Sequence, residues 1–295
     1  MTFGVRQVLP WAVAGVAGAT AVLARSRYER NHFVTEEVTI VSRKLAREWT
    51  AVFLSDLHDK QFGEGNQQLV EEIRQIEPDL ILIGGDTMVA KEKLADLTVT
   101  RELMEQLSQI KNCRIFYGNG NHEQRLCREW ETYGTMYREF LHILREYGIC
   151  YLSDRTLHVG EDLAISGLNI DQPYYRDFLP AKMSERYVKY HLGEADPRRF
   201  EILLAHSPLF FDAYAQWGAD LALCGHFHGG TIRLPYLGGV MTPQFQFFRK
   251  CCAGTFEENG HTMIVSRGLG THSINLRLGN RPQLIVLKLK QQIGE

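Results

Sequence analysis

Short apolar runs that alternate with amphipathic segments predict strands separated by helices along the first half of the chain. The runs rich in β-forming residues lie at residues 33–41, 49–54, 80–83 and 114–117. Two segments between them, residues 66–75 and 97–109, carry apolar positions at helical spacing. Strands that alternate with helices in this way predict an α/β fold with a parallel sheet that has helices on its faces.

The second half of the chain predicts one more helix and a series of short strands. The helix is an aromatic-rich segment at residues 130–147. The strands are expected at residues 152–159, 163–166, 202–205, 221–223, 231–234, 262–266 and 284–289. Since no linker rich in Pro, Gly or Ser follows residue 45, we predict one domain over residues 33–295 and a separate segment over 1–32.

The N-terminal segment contains an uncharged run of apolar and small residues at 8–24. At ~1.5 Å per residue, a helix of this length spans about 25 Å, slightly less than a bilayer core of ~30 Å. We predict a single-pass transmembrane helix that places the protein at the cell membrane, with a cleaved signal peptide and a buried soluble helix as alternatives. Arg25, Arg27 and Arg30 after the run outnumber Arg6 before it, which favours a cytoplasmic catalytic domain over an exported one.

Composition excludes one class of partner. The formal net charge of −2 over 295 residues gives no sign of the basic surface that nucleic acid requires, so no nucleic-acid partner is expected. The six cysteines form no C-x-x-C pair, and their spacing indicates reduced thiols rather than a disulfide framework.

Side chains of the metal-ligand type directly follow five of the apolar runs. They are Asp56, His58, Asp86, Asn121, His206, His226 and His228, and His122 lies next to Asn121. In an extended segment the two histidines of Gly225-His-Phe-His-Gly229 point the same way, as a metal cluster requires. Asp, Asn and His are ligands suited to divalent ions such as Mn, Fe, Zn or Mg. Asp59 and Glu123, beside these residues, are expected to support the ligands or to be solvated.

This ordered series resembles the calcineurin-like (dinuclear metal) phosphoesterase superfamily, from about residue 50 to the C-terminus. The resemblance implies a central β-sandwich flanked by helices, and a catalytic domain that hydrolyses phosphoester or pyrophosphate bonds with a metal-activated water. It implies two divalent ions. Asp56, His58 and His228 would hold the first, Asp86 would bridge both, and Asn121, His206 and His226 would hold the second. His122 would protonate the leaving oxygen or stabilise the phosphoryl group.

Two further runs, at residues 266–270 and 279–282, resemble a membrane-associated branch close to enzymes that hydrolyse UDP-2,3-diacylglucosamine in lipid A biosynthesis. That likeness implies a lipid-linked or nucleotide-linked substrate at the membrane. Residues 174–178 and 245–250 mix aromatic and basic side chains, which suits a surface that faces anionic head groups; packing of the aromatics in the core is the alternative.

Two other functions are alternatives to hydrolysis of a lipid-linked substrate. A general or nucleotide phosphodiesterase, merely tethered to the membrane, would keep the same ligands. A non-catalytic scaffold with this fold is the least expected, because a scaffold has no need to retain all seven ligand-type residues together with His122.

Overall fold

The computed structural model describes residues 5–91, 96–175, 181–234, 236–241, 250–271 and 274–292, without the side chains of residues 5–13 and 250. A first six-stranded sheet has the order β1-β14-β2-β3-β4-β5, and only the β14–β2 pair is antiparallel. Its strands are β1 (Val34–Ser42), β2 (Trp49–Leu54), β3 (Leu80–Ile83), β4 (Arg114–Gly118), β5 (Cys150–Leu152) and β14 (Gln283–Gln291).

A second six-stranded sheet has the order β12-β13-β9-β8-β7-β6, with a parallel centre from β13 to β7 and an antiparallel strand at each edge. Its strands are β6 (Arg155–Val159), β7 (Leu163–Leu168), β8 (Phe200–Ala205), β9 (Leu221–Cys224), β12 (Gly254–Glu258) and β13 (His261–Val265). A small hairpin joins β10 (Arg233–Leu234) to β11 (Gly238–Gly239).

The two sheets pack face to face and helices cover their outer faces. The inner core contains side chains from both sheets, among them Phe53 and Phe116 from the first and Ile165 and Leu204 from the second. The outer faces are covered by the helices α2 (Gln67–Ile76), α3 (Thr98–Ser108) and α6 (Met136–Glu146) on the first sheet, and by α7 (Glu185–Leu192) and α8 (Phe211–Trp217) on the second. The β-sandwich flanked by helices is therefore confirmed.

The sheets approach each other closely at the end of β4. A Cβ atom on Gly118 would lie 2.8 Å from Cβ of Leu204 in β8, so only glycine fits there. Tight packing at this point fixes the distance between the two sheets beside the ends of their parallel strands.

Two predicted elements are divided in the structure. The predicted helix at 130–147 is interrupted at Gly134, which has a φ of 57°, and forms α5 (Trp130–Tyr133) and α6. The predicted strand at 152–159 turns at Asp154, and its halves β5 and β6 pair in different sheets. An additional helix, α4 (Asn121–Arg128), begins at a predicted ligand.

The N-terminal helix α1 extends over Val5–Asn31. Among the residues that the structure describes, no helix is long and apolar enough to cross a membrane. The predicted transmembrane helix at 8–24 is therefore not supported, and its first six residues lie where side chains are not described. In its last two turns, Ser26 and Glu29 are buried against the rest of the protein.

Candidate metal centre

The predicted ligands meet at one edge of the sandwich, where parallel strands of both sheets end. Asp56 and His58 follow β2, Asp86 follows β3, and Asn121 with His122 follows β4. His206 follows β8, and His226 with His228 follows β9. Because the carboxyl ends of parallel strands share an edge of each sheet, residues up to 172 positions apart in the sequence lie side by side.

Asp86 lies at the centre of this cluster. Its Oδ2 atom is 3.1 Å from Nε2 of His206, 3.8 Å from Nε2 of His58 and 4.0 Å from Nε2 of His122. Asp86 also shares a potential metal-binding group with His206 and His226. One carboxylate thus faces two sets of histidines, as a bridging ligand must.

A second group gathers around Asp56. Its Oδ1 atom lies 3.4 Å from Nε2 of His228, whose ring nitrogen is 3.2 Å from Nε2 of His58. The other carboxylate oxygen of Asp56 accepts a hydrogen bond from the Ser55 hydroxyl at 2.7 Å. Three side chains from two different sheets thus converge on one small volume.

The backbone at the ligands is strained. Asp56, His58, Asp86, His226 and His228 all have φ between 48° and 68°, a region that non-glycine residues rarely adopt. Such strain persists only where surrounding contacts impose it, and it is concentrated at functional sites. In this conformation the backbone turns sharply after each strand, and the side chain of the ligand points into the cluster.

Two glycines leave room for the carboxylates. A Cβ on Gly120 would lie 2.1 Å from Oδ1 of Asp86, and one on Gly225 would lie 2.3 Å from Oδ2 of Asp56. In the structure they accommodate the ligand side chains.

Hydrogen bonds to Nδ1 orient the histidines in two opposite ways. Nδ1 of His206 and of His228 faces the carbonyl oxygens of Gly84 (2.8 Å) and Gly270 (3.3 Å) respectively. A carbonyl oxygen only accepts, so each Nδ1 carries a proton, and Nε2 is the nitrogen suited to a metal. Nδ1 of His122 instead accepts a hydrogen bond from the backbone N–H of Ala90 at 2.8 Å. Its neutral ring therefore carries the proton on Nε2, toward Asp86.

The carboxylates and histidines of the cluster change one another's pKa values. Burial opposes ionisation of Asp86, but His206 and His122 outweigh burial and hold the pKa of Asp86 well below its usual range. Burial also disfavours the charged ring of His206, yet Asp86 prevails and raises the pKa of His206 to about 10. Burial raises the pKa of Asp56 and lowers that of His122. Binding of a cation at His206 therefore competes with a proton.

Glu123 joins two of the ligand-bearing loops, the one that follows β3 and the one that follows β4. Its buried carboxylate accepts hydrogen bonds from the backbone N–H groups of Asp86 (2.9 Å), Gly120 (2.9 Å) and Thr87 (3.1 Å). The Tyr117 hydroxyl donates a further bond at 2.6 Å. Burial and then Asp86 raise the pKa of Glu123 to about 7. The sequence identified Glu123 as a possible support but gave no sign of Tyr117.

Two other residues border the cluster. Asp59 accepts a hydrogen bond from the Val89 N–H at 3.0 Å and so braces the segment that leads to Ala90. The ring of Tyr175 lies 5.0 Å from that of His226, while Tyr174 packs edge-on against Phe210. In residues 174–175 the aromatics thus pack within the protein; residues 176–178 and 245–249 of the predicted interfacial segments lie outside the described residues.

The donor set suits divalent cations. The carboxamide oxygen Oδ1 of Asn121 is buried and accepts no hydrogen bond from any described residue. A buried acceptor without a donor is costly, and a cation would satisfy it. Carboxylate oxygens, imidazole nitrogens and this amide oxygen fit Mn, Fe, Zn or Mg.

The family model of the calcineurin-like phosphoesterases matches residues 50–230, and the chain belongs to that family. Members of this family usually bind divalent metal ions in a dinuclear site.

Several bacterial relatives match over most of their length. The uncharacterized metallophosphoesterase YkuE of Bacillus subtilis (strain 168) is 25% identical over 283 residues, which cover 94% of this chain and 93% of the relative. The phosphodiesterase YaeI of Escherichia coli (strain K12) is 27% identical over 245 residues, which cover 81% of each chain. The protein is accordingly a hydrolase that acts on phosphoester bonds.

Proposed function

We propose that the protein is a metal-dependent phosphodiesterase in which Asp56, His58 and His228 hold one ion and Asn121, His206 and His226 hold a second. The position of Asp86 carries this proposal, since its carboxylate faces both groups of histidines. The name of the Escherichia coli relative, phosphodiesterase YaeI, supports a diester as the substrate.

When bound, two divalent ions supply positive charge to the phosphoryl oxygens and promote ionisation of the attacking water. The protein contributes position and hydrogen bonds. Asp86 stays ionised because neighbouring histidines hold its pKa low. His122 directs an Nε2–H into the site, and Glu123 fixes the loops that carry Asp86 and Gly120.

We propose that His122 acts as a neutral hydrogen-bond donor to a phosphoryl oxygen. The Ala90 N–H occupies its Nδ1, so the ring has no position for a second proton while that bond persists. Burial lowers the pKa of His122 and favours the same neutral form. Of the two roles that the family resemblance implies, stabilisation of the phosphoryl group fits this geometry better than protonation of the leaving oxygen.

A lipid-linked substrate is the second candidate. The exposed apolar side chains Val16, Val22 and Leu23 on α1 favour it, because contact with a lipid surface would stabilise these side chains and bring the protein close to a lipid substrate. We propose that the segment at 8–24 holds the protein at the cell membrane with the catalytic domain in the cytoplasm. Sedimentation with membranes after a carbonate wash, and resistance of the domain to protease added to intact cells, are the expected results.

The substrate is tested on metal-loaded protein with three compounds: bis(p-nitrophenyl) phosphate, p-nitrophenyl phosphate and UDP-2,3-diacylglucosamine. We expect metal-dependent hydrolysis of the diester, and loss of it in Asp86→Asn. Preference for the glucosamine lipid would favour the second candidate. Hydrolysis of the monoester alone would contradict a phosphodiesterase, and full metal binding without hydrolysis of any phosphoester would point to a scaffold.

A further inference from the structure

Three buried polar residues outside the ligand cluster connect the N-terminal helix to it. Glu29 on α1 is 0% exposed, and Arg277 and Asn280, in the segment before β14, are each 1% exposed. Burial of charged and amide groups is costly unless each is hydrogen-bonded, so these residues are held by specific partners. Each of them contacts either a metal-ligand loop or the residues that hold one.

Asn280 fixes the loop that carries His228. Its Nδ2 atom donates hydrogen bonds to the carbonyl oxygens of His228, at 2.8 Å, and of Gly230. Between these residues, a Cβ on Gly229 would lie 2.4 Å from Oδ1 of Asn280. The side chain of Asn280 therefore lies directly against the backbone immediately after the ligand and sets its position.

Arg277 fixes a second loop, residues 267–270, that lies against the same ligands. Its Nη2 atom donates to the carbonyl oxygens of Arg267 (2.8 Å), Gly268 (3.1 Å) and Gly270. The carbonyl of Gly270 also accepts from Nδ1 of His228, and its N–H donates to the carbonyl of Asp56 at 2.6 Å. Arg277 thus acts on both the ring of His228 and the backbone of Asp56.

Helix α1 binds the backbone of both residues. The Ser26 hydroxyl accepts a hydrogen bond from the N–H of Arg277 at 3.1 Å. Oε2 of Glu29 accepts one from the N–H of Asn280 at 3.1 Å, while Oε1 accepts from Arg25 at 2.7 Å. The last two turns of α1 are therefore bonded to the segment that orients Asp56 and His228.

We propose that Glu29, supported by Ser26, is a positioning residue for the first metal site, acting through Asn280 and Arg277 on His228 and Asp56. This inference rests on the proposed metal-dependent function. It makes α1 part of the catalytic domain and not only a segment that precedes it. It also predicts that disturbance of α1 weakens the site of Asp56, His58 and His228 more than the site of Asn121 and His206.

The test uses the full-length chain and measures Mn²⁺ binding by competition with a chelator, together with the melting temperature of the chelated protein. Asn280→Ala is expected to weaken one of two Mn²⁺ sites by about 10–100-fold, the usual effect of losing a partner of a metal ligand. Glu29→Ala should weaken the same site by a smaller factor, because Glu29 reaches the ligand through Asn280. Glu29→Gln keeps an acceptor oxygen for the Asn280 N–H, so it should recover most of the affinity. Ser26→Ala, a milder change, should weaken the same site in the same direction.

Glu71→Ala is the matched control, because Glu71 is an exposed helical glutamate that pairs with Arg74 on α2. It should bind Mn²⁺ as the wild type does. In the His206→Ala background, the remaining site should still respond to Glu29→Ala, which assigns the effect to the first metal.

Lower melting temperatures with unchanged Mn²⁺ affinities would show a purely structural role and overturn the proposal. Wild-type affinities in Ser26→Ala and Glu29→Ala would also overturn it. Failure of the wild type itself to bind two ions would instead contradict the proposed function, so the two failures are distinguishable.

Discussion

The backbone N–H of Ala90 donates a hydrogen bond to Nδ1 of His122, which directs the single ring proton of His122 toward Asp86. A ring held in this way donates a hydrogen bond without giving up its proton. This arrangement separates His122 from His206 and His228, whose Nδ1 atoms face carbonyl oxygens.

We expect His122→Ala to lower kcat by ~10²–10³, the effect of losing one preorganised donor, and to leave the metal content intact. The loss should be similar for substrates with good and poor leaving groups, because a phosphoryl oxygen receives the bond. Kinetics with a series of substituted phenyl diesters measure this. A loss confined to poor leaving groups would instead identify His122 as the proton donor.

The pH profile gives a second measure of the same role. Because burial lowers the pKa of His122 from its ordinary value of 6.5, the active neutral form already predominates at that pH and remains so at higher pH. No falling limb between pH 7 and 9 should therefore depend on His122. Comparison of the kcat profiles of the wild type and His122→Ala tests this, and a limb present only in the wild type would contradict it.

Two divalent ions per chain are expected, because seven ligand-type residues exceed the needs of one ion. Asp86→Asn should reduce the content below two and abolish most activity, since a neutral amide bridges poorly. His226→Ala should lower both the metal content and kcat. Elemental analysis of protein prepared without chelator gives the stoichiometry. A value of one that Asp86→Asn leaves unchanged would refute the bridging role.

Glu123→Gln should destabilise the protein and weaken metal binding together. The amide group that replaces one carboxylate oxygen cannot accept hydrogen bonds, so at least one buried N–H or O–H loses its acceptor, at about 1–3 kcal/mol. Urea unfolding of chelated protein and Mn²⁺ titration measure the two effects. Tyr117→Phe, which removes only the hydroxyl donor, is the milder comparison. Unchanged stability in Glu123→Gln would show that the loops are held by other contacts.

Away from the metal centre, buried Glu201 is expected to make the folded protein less stable as the pH rises from 4.5 to about 7. Burial raises its pKa from 4.5 to about 7, so its protonated form favours folding. This contribution is complete below pH 4.5 and is lost as the pH rises through 7. At 1.36 kcal/mol per pKa unit the change is at most about 3 kcal/mol. Glu201→Gln should flatten the curve and be more stable than wild type at pH 8, as measured by urea unfolding of chelated protein.

The ligand positions were predictable because each one directly follows a strand recognisable from its apolar residues. Leu54 and Ile83 pair in register, as do Ile83 and Tyr117, so the residues that follow are brought together by the sheet itself. The division of residues 152–159 between two sheets was not predicted, because the choice of sheet for each half depends on strand pairing between residues distant in the sequence.

The attachment of α1 was also beyond prediction from sequence. Glu29 and Asn280 are separated by 251 residues, and neither belongs to a periodic pattern that would pair them. The boundary predicted at residue 32 was based on composition and charge, whereas the contacts of Ser26 and Glu29 depend on tertiary structure. Removal of residues 1–32 is therefore expected to lower metal affinity as well as any affinity for membranes.

The close approach of Gly118 to Leu204 has a consequence for the interpretation of distant variants. The first sheet supplies Asp56, His58, Asp86 and Asn121, whereas the second supplies His206, His226 and His228. Any substitution that widens the gap between the sheets separates one half of the ligands from the other. A bulkier residue at position 118, with every ligand intact, would therefore produce the same biochemical defect as the loss of a histidine.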